Sequence, residues 1–149
     1  MNKEWFDKNK RIYILLDKET TYKEGIEMLI EFRNELFEQL SQIVNGYPVK
    51  AFYQMPFANA KGYHSKTLSY SIWHIFRIED IVAHTLIAGD EQIFVTSDYQ
   101  KKIGSPIITT GNELVGQEIA EFSKKLNIKA LYEYAKEVMF FTNTLLTKL

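Results

Sequence analysis

The feature that most constrains this chain is a helical repeat of apolar positions. Starting at Tyr22, the residues Ile26, Leu29, Leu36, Leu40 and Ile43 follow at three- and four-residue spacing, with Arg33 the one break. That spacing predicts an amphipathic helix running to about Asn45. Thr21-Tyr22-Lys23-Glu24 has the capping-box spacing that opens such a helix. Periodicity returns near Ser65 or Thr67 and continues to Ala88, where Gly89 is a natural C-terminal cap. Leu68, Ile72, Ile75, Val82 and Leu86 form its main apolar stripe. Thr110-Gly111-Asn112-Glu113 repeats the capping-box spacing and predicts a helix to about Leu126. Asn127 then caps a last helix in which Ile128, Leu131, Ala135, Val138, Thr142, Leu145 and Leu149 keep heptad spacing. A shorter helix is expected over residues 7–16. Together these predict an all-α fold, an antiparallel helical bundle.

Two stretches interrupt the pattern. From Pro48 to His64 aromatic and small residues alternate irregularly, as in a packed loop with a turn of helix. Residues 90–109 contain the β-prone runs Ile93-Phe94-Val95-Thr96 and Ile107-Ile108-Thr109, enough for one hairpin or a packed excursion. No internal repeat or linker divides the chain, so residues 1–149 are expected to form one domain, either complete or the N-terminal portion of a longer protein.

The bulk properties exclude several classes. A formal net charge of -1 gives no general attraction to nucleic acid or acidic membranes. The absence of cysteine removes disulfides, zinc ribbons and thiol nucleophiles, so any metal would need nitrogen and oxygen ligands. The N-terminus lacks the apolar core of a signal peptide, and no apolar stretch is long enough to cross a bilayer. A cytoplasmic location is the expectation.

Candidate chemistry rests on few residues. The three histidines are His64, His74 and His84. On a regular helix His74 and His84 point roughly 80° apart and cannot share a metal. His84 falls beside Arg77 and one turn from Asp80, which reads as a solvated polar face. His64 precedes the helix, as a loop or capping residue or a weaker candidate ligand. His74 shares a second stripe with Ile78, Ile81 and Thr85, where it is a hydrogen-bonded core residue or a ligand. Glu79 falls within the main apolar stripe, where a carboxylate needs compensation. Arg33 is its candidate partner, and the pair is structural or auxiliary to catalysis.

The run Ser69-Tyr70-Ser71-Ile72-Trp73-His74-Ile75-Phe76-Arg77-Ile78-Glu79-Asp80 resembles the second-helix pattern of the DinB-like family, also described as YfiT-like metal-dependent hydrolases. The last helix, from Ile128 through Ala135, is similar to that family's third. The resemblance implies a four-helix bundle of up-down-down-up topology, and a divalent zinc or nickel ion held by His74 and by a histidine pair on a later helix. It also implies hydrolase or thiol-dependent transferase activity on an unknown small molecule. No histidine follows His84, so that pair has no counterpart in this sequence, and the expectation is an N-terminal portion of a longer protein or a short variant of the bundle without its last helix. A metal is therefore expected in the complete protein but not bound tightly by this chain alone. The alternative is a non-catalytic bundle acting through protein association. Under both readings an apolar face of the last helix, with Tyr134, Phe141 and Leu145, favours a homodimer.

Overall fold

Thr67 sets the start of the central helix. Its hydroxyl accepts the amide of Tyr70 at 3.1 Å, the geometry of an N-terminal cap. The same oxygen lies 2.6 Å from Ser123 Oγ. Ser123 donates its own proton to the Ile119 carbonyl at 2.7 Å, so Thr67 must be the donor between the two hydroxyls. This is a computed structural model describing residues 2–57 and 65–149. Among those residues it is all-helical, with eight α-helices and no strand. They fall into two compact units, Met1–Ile43 with Asn143–Leu149, and Val44–Thr142.

In the first unit α1 spans Lys3–Leu16 and α2 spans Tyr22–Gly46, the latter continuing into the second unit. Asn2 caps α1 by accepting the Glu4 amide. The two helices approach closely at Gly25, where a Cβ would stand 2.9 Å from the Leu16 side chain. Trp5 meets Phe32 edge-on, and Lys8 reaches Glu35 at 2.6 Å. Arg33 donates Nε to Asn143 Oδ1 at 2.8 Å. The capping box expected at Thr21 does not form. A 3₁₀ turn over Glu19–Thr21 precedes α2, and the Thr21 hydroxyl donates to the Leu15 carbonyl instead. A tertiary acceptor has displaced the local one.

In the second unit α3 is the short helix Lys50–Tyr53, anchored by buried Phe52. Helix α4, Leu68–Asp80, continues into a π-helical stretch, Ile81–Ala88. Gly89 ends it in the left-handed conformation, with its amide on the His84 carbonyl five residues back. The hairpin allowed for residues 90–109 is replaced by two short helices, α5 (Ile93–Thr96) and α6 (Tyr99–Ile103). Helix α7 is Gln117–Lys124 and starts later than the capping-box spacing suggested, because Thr109 bonds the Glu113 carboxylate and Gly111 takes a positive φ. Helix α8, Ile128–Leu146, carries the predicted Asn127 cap on the Ala130 amide.

The buried face of α4 is not the predicted stripe. Ile72 is buried, but Ile75, Val82 and Leu86 are exposed. The face that packs inward carries Tyr70, Trp73, Arg77 and Asp80, continued by Ala83 and His84. Trp73 is fully enclosed and meets Phe94 and Phe122 edge-on, with centroids 5.5 and 5.4 Å away. Among the described residues no helix is long and apolar enough to cross a membrane.

Candidate functional site

Four side chains of α4 hold one strap of backbone. Residues 108–111 run past this helix, and each of their carbonyls bonds a different side chain of it. Arg77 takes Ile108, Trp73 Nε1 takes Thr109 at 3.0 Å, His74 Nδ1 takes Thr110 at 2.8 Å, and Tyr70 Oη takes Gly111 at 3.0 Å. A loop passing over a packed helix cannot leave its carbonyls unsatisfied, and here the helix supplies the donors.

His74 is fixed by this arrangement. A carbonyl only accepts, so Nδ1 carries the proton, and the lone pair of the neutral ring lies on Nε2. The ring also stacks on Tyr70 at 5.6 Å, with the planes 10° apart. The side chain is half-buried. The resemblance-derived ligand is thus a hydrogen-bonded histidine with one nitrogen uncommitted to the strap. Glu79 is half-buried on the same helix and engaged in an interaction of its own. His64 lies outside the described residues. Among the described residues no cluster of three or more histidine, aspartate or glutamate side chains is arranged to hold a metal ion.

The residues read as a solvated polar face are buried. Arg77 and His84 are nearly inaccessible, and Asp80 is completely so. Arg77 spends all five of its N–H donors. Nε and Nη2 fork onto the Ile108 carbonyl at 3.1 and 2.6 Å, and Nη2 also reaches Gln92 Oε1 at 3.0 Å. Nη1 bonds Asp80 Oδ2 at 3.3 Å and Tyr134 Oη at 3.1 Å. The guanidinium carbon lies 4.1 Å from the centre of the Phe94 ring. Asp80 accepts the Ile93 amide on Oδ1 and the Phe94 amide on Oδ2, each at 3.0 Å, and so pins the start of α5.

Tyr134, placed on an exposed face by sequence periodicity, is fully buried and closes this network. Burial and the neighbouring Asp80 charge hold its phenol far above the ordinary tyrosine range. His84 stacks on Phe141 at 3.7 Å and bonds Asp90 Oδ1 through Nδ1 at 2.6 Å. Its Nε2 is enclosed, without a hydrogen-bond partner, and 3.8 Å from Asp80 Oδ1.

Sequence reasoning missed this network, although a signal for it exists. Tyr70, Trp73, Arg77, Asp80 and His84 recur at three- and four-residue spacing, so the polar groups continue a stripe begun by two large aromatics. Arg77, Asp80 and Tyr134 have their donors and acceptors matched within the network, which suits it to fixing the turn between α4 and α5. Each cluster holds a histidine with one ring nitrogen outside its structural bond, His74 on the half-buried side of the strap and His84 with an enclosed Nε2 beside Asp80.

Comparison of the sequence with models of known protein families finds no match. No curated protein matches it either.

Proposed function

We propose that the chain is a DinB-like bundle protein, a metal-dependent hydrolase or thiol-dependent transferase in which His74 contributes one ligand to a divalent zinc or nickel ion. The observation that carries this reading is the Nδ1 bond of His74 to the Thr110 carbonyl. Metal-ligating histidines commonly donate one ring N–H to a carbonyl or carboxylate, which fixes the ring and presents the other nitrogen. The described residues supply one ligand and no complete set, so the remaining ligands would come from outside them.

Calorimetric titration with nickel or zinc, comparing the chain with His74→Gln, tests the proposal. The expected result is weak binding that the substitution abolishes. Binding unaffected by His74→Gln removes this residue from the site.

A second reading has its own support. Apolar side chains remain exposed along α4 while Arg77 and Asp80 are bonded within the unit, as in a non-catalytic bundle that acts by protein association. Absence of any His74-dependent metal binding would favour it.

A further inference from the structure

The π-helical extension of α4 is made almost wholly of apolar residues, Ile81-Val82-Ala83-His84-Thr85-Leu86-Ile87-Ala88, yet only Ala83 and His84 are buried. Val82, Leu86 and Ile87 continue an exposed stripe begun by Ile75 and Ile78. Ile75 is 56% exposed, Leu86 71% and Ile87 52%. Glu79 is the one ionisable group along the stripe, and it is half-buried and already engaged.

We infer that this stripe is the contact surface for a second copy of the chain, packed against it about a two-fold axis. The order of the residues favours that partner. In a two-fold contact, if one residue meets another across the axis, the reciprocal pair also forms. Ile75, Ile78, Val82 and Leu86 are spaced nearly symmetrically about Asp80 and Ile81. Antiparallel packing therefore sets Ile75 of each copy against Leu86 of the other, and Ile78 against Val82. Aliphatic meets aliphatic at every step, and no charge needs a complementary group on a different protein.

The size is also suitable. Five partly exposed aliphatic side chains present on the order of 500 Å² per copy, and two copies reach about 1,000 Å², where specific interfaces begin. Residues flanking the stripe would add to this. The inference rests on the association reading and supplies its surface and partner.

Sedimentation equilibrium of the full chain, from low micromolar to several hundred micromolar, tests it, with circular dichroism as the check on folding. The wild-type chain should form a dimer of its 17.5 kDa protomer. Val82→Lys and Ile78→Glu should each weaken that dimer by at least about thirtyfold. Mixed together they should restore association, because the ammonium introduced on one copy then faces the carboxylate introduced on the other. Phe140→Lys, at an exposed apolar position on α8 outside the stripe, should leave the dimer intact. A wild-type chain that stays monomeric overturns both this inference and self-association, leaving the stripe to a different partner. A dimer that survives Val82→Lys and Ile78→Glu with helicity preserved overturns the stripe as the contact surface while keeping the association reading. Should Val82→Lys lose helicity, Ile78→Glu decides between the same outcomes.

Discussion

The phenolic oxygen of Tyr134 lies 2.7 Å from Asp80 Oδ2, and neither residue has exposed surface. The carboxylate accepts, so the phenol donates to it and in turn accepts from Arg77 Nη1. Tyr134→Phe keeps the ring and removes this relay together with the longer hydroxyl contact to the Phe76 carbonyl at 3.3 Å. It leaves a buried acceptor and a buried N–H each short of a partner, at a cost of about 1–3 kcal/mol. Urea unfolding followed by circular dichroism should show a lower midpoint with an unchanged slope.

Alkaline pH should weaken the fold through the same phenol. Tyr134 and Tyr99 are both held above the ordinary range, Tyr99 by burial and then by its bond to Glu137. The folded chain keeps these protons after the unfolded chain has lost them. Their contribution is fully present below about pH 10, the unfolded value, and is lost as pH rises toward the folded values. Urea midpoints measured across that range should fall with pH, and less steeply in Tyr134→Phe. A phenolate absorbance change for these residues that precedes unfolding would contradict the assignment.

Arg77→Lys is expected to loosen the strap at 108–111 despite conserving charge. Lysine has three donors on one atom and cannot fork onto Ile108 while also reaching Gln92, Asp80 and Tyr134. Hydrogen exchange should accelerate in peptides covering residues 105–112 and at the start of α5, where Asp80 would lose its fixed neighbour. Equal exchange in the two proteins would show that the remaining strap bonds suffice.

Much of the secondary structure was legible. Periodicity located α2, α8 and α4 with its start near Ser65 or Thr67, and local chemistry located the Gly89 end and the Asn127 cap. Capping-box spacing was a poorer guide. At Thr21 the hydroxyl found a carbonyl on the preceding helix, and at Thr109 a side-chain bond formed a turn before α7 could start. Both outcomes depend on partners that short-range spacing does not specify. His74 stood out in sequence, but its tautomer and orientation come from the Thr110 carbonyl, 36 residues away.

What the sequence determined by itself is where the long helices α2, α4 and α8 lie, because backbone periodicity and caps act over one or two turns. It left two stripes available on α4, one of Leu68, Ile72, Ile75, Val82 and Leu86, the other of Tyr70, Trp73, Arg77, Asp80 and His84. Tertiary structure chose the second. Burying Arg77 and Asp80 is tolerable only where distant groups complete their bonds, and Ile108, Gln92, Tyr134 and the amides of Ile93 and Phe94 do so. With those partners in place the large aromatic rings pack inward, and the aliphatic stripe is left on the surface.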